Sequence, residues 1–281
     1  MTPIHFDTVL ELLRRLTPLP EHTVLCGAWT IALYQSAFAQ TVDPVATLDL
    51  DLALDGASES IARQDTWMRD MARDLSELGY VPVRRGADYG AGSGPFVTLE
   101  FRRGPLASNI TMPEVELIAS VRGGGQRPPR SLPWSCAEPV PQIVDQLHLL
   151  FAEPRLLRIG EFARFEVRVP NPLSFVLQKA LIRADRRRRQ GKAESDAASI
   201  VEVAALFRGR GEELARLAPS LRAQSRSAAK DVERGVGILR EQFLDPRSRG
   251  LDTELVRRRR SLSDARELVR GFLDDCGIES S

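Results

Sequence analysis

The chain has 281 residues, 43% of them hydrophobic, and a formal net charge of +1. That length can bury one large core or two modest ones, and the near-neutral charge excludes a global basic field, so a nucleic-acid partner would have to be met by local clusters. Three widely separated cysteines, Cys26, Cys136 and Cys276, fit neither a disulfide framework nor a zinc-ligand spacing, and with no membrane-length apolar run and no signal pattern in Met1 to Leu19 the expectation is a soluble cytoplasmic protein.

Phe6, Val9, Leu10, Leu12, Leu13 and Leu16 recur with helical spacing until Pro18 and Pro20 stop the pattern. This predicts a packing helix that covers one edge of a sheet. Val24-Leu25-Cys26 then reads as a short strand that meets Gly27-Ala28, and Trp29, Ile31, Ala32 and Leu33 resume helical spacing, so the stretch is strand, tight turn, helix. Thr47-Leu48-Asp49-Leu50-Asp51-Leu52-Ala53-Leu54 alternates with period two. Thr47, Asp49, Asp51 and Ala53 therefore share one face of a strand and the leucines share the other.

Two carboxylates side by side on one sheet face repel each other unless a cation offsets their charge. Mg²⁺ suits such a place, because it takes hard oxygen ligands and leaves positions open for water and phosphate. The alternative is a solvent-facing polar side of a sheet edge.

Gly27-Ala28 at a strand-to-helix turn, followed by Thr47-x-Asp49-x-Asp51 in a leucine-rich strand, resembles the polymerase-beta-type nucleotidyltransferase superfamily. The likeness is closest to its stand-alone bacterial members, including the abortive-infection type IV toxin nucleotidyltransferases. The resemblance implies that the glycine turn, with Gly27, Ala28 and Thr47, holds nucleotide phosphates. It also implies that Asp49 and Asp51, with a third carboxylate on a neighbouring strand, bind two Mg²⁺ ions. Relatives have Gly-Ser where this chain has Gly27-Ala28, which leaves Thr30 as the nearby hydroxyl, and an arginine where this chain has Val45.

Farther along, Ile61, Trp67, Met68, Met71, Leu75 and Leu78 form the apolar stripe of a helix that opens near Ser58 and ends at Gly79. Strands are predicted over Tyr80 to Arg84, Phe96 to Phe101 and Val115 to Ala119. The glycine-rich GADYGAGSG between the first two lacks the spacing of a P-loop and reads as a hairpin loop. Glu116 stands between apolar neighbours and needs a reason to be there. A shared metal supplies one, so Glu116 is the candidate third carboxylate, with Glu100 the second choice and an arginine ion pair the structural alternative.

Arg122 to Pro133 is turn-rich and reads as a connection. Gln142 to Phe151 has helical spacing, and Phe162 to Val169 alternates like one more strand for the sheet. From Pro172 the chain reads as successive helices, with Asn171 as a cap. The expected organisation is a nucleotidyltransferase core over 1–125, a connection over 126–170, and a helical domain over 171–281. The fold class is α+β, a mixed sheet flanked by helices.

Lys179 interrupts an apolar helical surface, where a lysine either snorkels to water or reaches a triphosphate. The resemblance continues here, with a Lys, an Arg about a turn later, a basic residue and an Asp at the next helix matched by Lys179, Arg183, Lys192 and Asp196. It implies phosphate contact for Lys179 and Arg183, nucleotide binding for Lys192 and an acid-base or positioning role for Asp196.

The basic run Arg186 to Arg189 fits an RNA backbone or a solvated helix end equally. Together these features predict a Mg²⁺-dependent enzyme that moves a nucleoside monophosphate from an NTP such as ATP to an acceptor hydroxyl. The acceptor is an RNA end such as that of tRNA, a protein or a small molecule, and a toxin held by an antitoxin-like partner is one form of this. The competing readings are a non-catalytic nucleotide- or RNA-binding module and a partner-binding protein on the same fold.

Overall fold

The computed structural model describes residues 5–38, 40–42, 49–56, 58–85, 96–101, 112–120, 141–144, 146–159, 165–185, 190–245 and 261–279. The chain falls into two compact units, Met1–Val169 and Pro170–Ser281. The first is built on a mixed sheet and the second on helices, the α+β class expected from the sequence.

In the first unit, α1 (Phe6–Leu16) buries Val9, Leu12, Leu13 and Leu16. It is tied down where the Trp67 indole donates 3.2 Å to the Leu16 carbonyl. Strand β1 (Thr23–Cys26) is wholly buried and leads through Gly27-Ala28 into α2 (Trp29–Ala37). β2 (Asp49–Asp55) is followed by α3 (Ser58–Glu77), which ends at Gly79, where φ is +95°. Only glycine adopts that left-handed value without strain, so the helix stops there.

β3 (Tyr80–Arg85), β4 (Phe96–Phe101) and β5 (Glu114–Ser120) complete the sheet in the order β1-β2-β5-β4-β3. β2 and β5 run parallel at its centre, and the other neighbours in this path are antiparallel. Alternation sends Leu50, Leu52, Leu54, Val115, Leu117 and Ala119 to one face, all buried. Asp49, Asp51, Glu114 and Glu116 take the other.

Two expectations for the end of this unit are corrected. Gln142 to Phe151 is not one helix. It forms β6 (Gln142–Ile143), parallel to β5, and a 3₁₀ turn over Leu147–Phe151. Between them Gln146 has φ +61°, which no α-helix can contain. The strand expected over 162–169 is β8 (Phe165–Val169), but it does not extend the large sheet. It pairs with β7 (Arg155–Ile159) in a separate two-stranded sheet. That hairpin packs on β1 and α2.

In the second unit, α4 (Pro172–Asp185) is capped by Asn171, whose Oδ1 accepts from the Ser174 amide at 2.8 Å. It is followed by α5 (Gln190–Leu206), α6 (Gly211–Leu214), α7 (Leu217–Gln224) and α8 (Arg226–Leu239), which runs into a π-helical turn over Arg240–Leu244. α9 (Leu262–Asp275) opens on a capping box between Ser261 and Asp264. Among the described residues no helix is long and apolar enough to cross a membrane.

Close packing of α8 on α4 depends on a glycine. A Cβ at Gly235 would meet Leu177 Cδ2 at 2.8 Å and Leu177 Cβ at 3.4 Å, whereas one at exposed Gly237 would meet nothing within 4 Å. Gly235→Val is expected to destabilise the protein by about 1–3 kcal/mol through overpacking. Gly237→Ala, on the same helix, is expected to stabilise it by roughly 0.5–1 kcal/mol by reducing the freedom of the unfolded chain. Urea denaturation of the two variants checks the opposite signs.

Candidate active site

The site begins with register. β2 and β5 run parallel with Asp49 opposite Glu114 and Asp51 opposite Glu116, so two acidic pairs lie side by side on one face. Carboxylate oxygens of Asp49, Glu114 and Glu116 all lie within 4.8 Å of one another, and the three side chains are half-buried. Toward its other end the face is apolar: Ala53 and Ile118, with Cys26 in register with Asp51, pack with Leu147, Leu150 and Phe151 of the 3₁₀ turn. That cover closes one end of the face and leaves the acidic end accessible.

β4 adds to this face. Thr98 is the partner of Glu116 and is fully buried, and its Oγ1 has no hydrogen-bond partner among the described residues. Glu100, two residues on, shares that face but is not in the carboxylate triad. β5 is fixed at its start by the Tyr80 hydroxyl, which donates 3.0 Å to the Pro113 carbonyl. Burial pushes that phenol far above the ordinary tyrosine value, so it remains a donor.

Gly27 borders the acidic face. Its φ is +73°, and a Cβ built on it would lie 2.1 Å from Asp51 Oδ2. The Asp51 carboxylate therefore rests where any other residue would place a side chain. Ala28 opens α2 with no side-chain cap. The Thr30 hydroxyl, expected to stand in for the missing serine, instead donates 3.3 Å to the Leu25 carbonyl inside the core. It pins the turn from within.

The structure thus brings Asp49, Asp51, Glu116 and Gly27 of the expected site together and adds Glu114 and Thr98, which the sequence reading missed. A signal for Glu114 was present, since Glu114-Val115-Glu116 repeats the alternation of Asp49-Leu50-Asp51. Thr47 and Val45 lie outside the described residues, as does the side chain of Lys192.

The remaining expected residues lie in the helical unit. Lys179 Nζ is 2.9 Å from Asp196 Oδ1, with the two side chains 15% and 4% exposed. The ammonium also stands 5.7 Å from the Phe175 ring centroid, a cation–π distance. Arg183 Nη1 donates to Gln242 Oε1 from the π-helical turn, and both residues are buried.

A half-buried ion pair is costly to leave half-broken. Asp196→Ala is expected to destabilise the protein by roughly 1.5–3 kcal/mol, because the half-buried Lys179 ammonium loses its charge-assisted partner. The double change Lys179→Met/Asp196→Leu should restore most of that loss, and a double-mutant cycle by denaturant titration measures the coupling.

A family model described as "Nucleotidyltransferase" matches residues 6–222. The chain belongs to the nucleotidyltransferase family. The match takes in the whole acidic face, the Gly27 turn and the Lys179–Asp196 pair. No curated protein and no solved structure gave a match.

As a nucleotidyltransferase the chain is an enzyme whose substrates include an NTP. Its acidic face fits a hard divalent cation. The donors are carboxylate oxygens, and three of them converge from paired central strands.

Proposed function

We propose that this nucleotidyltransferase is Mg²⁺-dependent and moves a nucleoside monophosphate from an NTP, ATP being the first to test, to an acceptor hydroxyl on an RNA end, a protein or a small molecule. The observation that carries the reading is the in-register pairing of Asp49 with Glu114 and Asp51 with Glu116 directly beside the Gly27 turn.

Asp49, Asp51, Glu114 and Glu116 are the residues that would hold the metal. Bound there, divalent ions supply charge stabilisation at the phosphoryl oxygens and acidify an acceptor hydroxyl. The chain's own contribution is positioning. Gly27 lets the backbone come close to the phosphates, and the positive end of the α2 dipole favours their negative charge. In the helical unit Lys179 and Arg183 are the proposed phosphate cations, joined by Lys192. Asp196 orients the Lys179 ammonium through their 2.9 Å contact.

The test is incubation of the protein and Mg²⁺ with each alpha-labelled NTP and total RNA or protein extract. Label in an acceptor together with pyrophosphate release supports the reading, and the labelled fraction names the acceptor class. Hydrolysis alone, or no turnover with any of the four NTPs, would sink it.

A toxin role held in check by an antitoxin-like partner rests on the likeness of the Lys179 to Asp196 segment to toxin relatives. It requires that induced expression arrest growth and that Asp49→Asn relieve the arrest.

A further inference from the structure

We infer that Glu114 enables this enzyme to hold a divalent cation before any nucleotide arrives, an inference that rests on the metal-dependent reading above. Mg²⁺ sites for phosphoryl transfer usually offer only one or two carboxylates and draw their other oxygens from water and substrate phosphates. In such a site the phosphates complete the shell of the ion. Here three carboxylates converge within 4.8 Å without any phosphate contribution.

Glu114 is outside the set implied by the resemblance, which is Asp49, Asp51 and Glu116. Its position is nevertheless built in. It stands opposite Asp49 in the central parallel pair, directly after the residue that Tyr80 anchors. Like charges gathered on one face repel one another, and a divalent cation among them relieves that repulsion. The extra carboxylate therefore acts on the nucleotide-free state first.

Thr98 supplies an independent observation. A buried hydroxyl without a partner costs about 1–3 kcal/mol. The Thr98 Oγ1 is such a group among the described residues, on the acidic face and directly across from Glu116. In an occupied site it can bond to an ion-bound water or to the Glu116 carboxylate, which gives the atom the partner it otherwise lacks.

The experiment is titration of Mn²⁺ into the nucleotide-free protein, with free ion followed by electron paramagnetic resonance, repeated with a non-hydrolysable NTP analogue. Wild type should bind Mn²⁺ without the analogue. Glu114→Gln should bind it at least about tenfold more weakly in that state and recover when the analogue is added. Thr98→Val should weaken binding by a smaller factor with no loss of melting temperature.

The inference is overturned if wild type takes up Mn²⁺ only with the analogue, or if Glu114→Gln titrates like wild type. Either result leaves the metal-dependent reading standing. No Mn²⁺ uptake in either state removes both, and Asp49→Asn, expected to bind in neither, marks the baseline.

Discussion

Asp49→Asn and Glu116→Gln should each lower NTP-dependent transfer by a factor of about 10²–10³ or more, the scale on which loss of one charge-stabilising group raises a barrier by roughly 3–4 kcal/mol. The same variants should be slightly more stable than wild type when no metal is present. Asp49, Glu114 and Glu116 crowd one sheet face with their oxygens within 4.8 Å, and neutralising one removes repulsion among like charges. Relief of that kind between neighbouring strands is worth roughly 0.2–1 kcal/mol.

With divalent cation added, the order reverses. Wild type gains about 2.7 kcal/mol when the ion is at a hundred times its dissociation constant, and a variant that has lost the site gains nothing. Thermal melts with and without Mg²⁺, run beside the transfer assay, separate this from a folding defect. A variant that loses activity and also melts lower without metal would mean that these carboxylates are structural, and the metal-site reading would fall.

The parts of this protein that could be read from sequence are those governed by local periodicity. The Asp49-Leu50-Asp51-Leu52 alternation belongs to a buried central strand, where one face must be apolar, so the placing of both carboxylates on the other face follows directly. α1 and the helices after Pro172 were legible for the same reason, through caps and apolar spacing. Register was not legible. That Asp49 meets Glu114 depends on a parallel pairing between segments far apart in the chain, and no local pattern specifies it. Glu114 follows Pro113 at the edge of the predicted strand, whereas Glu116 stands between two apolar residues and alone satisfies the need for a third carboxylate.

β7 was missed because exposed Leu156 adjoins buried Leu157 and breaks the alternation. The 142–151 segment read as helical because its apolar spacing is unbroken in sequence. The strand pairing of Gln142–Ile143 and the left-handed backbone at Gln146 divide it. Thr30 shows a similar limit: its place near the turn is legible, but the direction of its hydroxyl, inward to Leu25, is a property of packing.

Gly27→Ala should cost about 2–5 kcal/mol of stability and abolish transfer, although it adds a single methyl group. Two separate terms contribute. An L-residue held at φ +73° carries roughly 1–2 kcal/mol of backbone strain. The new Cβ also falls 2.1 Å from Asp51 Oδ2 and 3.0 Å from Asp51 Cγ, so the carboxylate cannot remain where it is, and forced displacement in a packed site costs about 1–3 kcal/mol more.

The terms can be separated because only the second depends on Asp51. In an Asp51→Ala background the clashing carboxyl atoms are gone and only the Cβ at 3.3 Å remains, so Gly27→Ala should then cost little more than the backbone term. Urea denaturation of the four proteins gives the coupling directly. An equal cost in both backgrounds would mean that Asp51 swings aside freely and that Gly27 serves the turn alone. A coupling of about 1–3 kcal/mol would mean that the glycine and the aspartate are built as one unit, with the missing side chain of one making room for the carboxylate of the other.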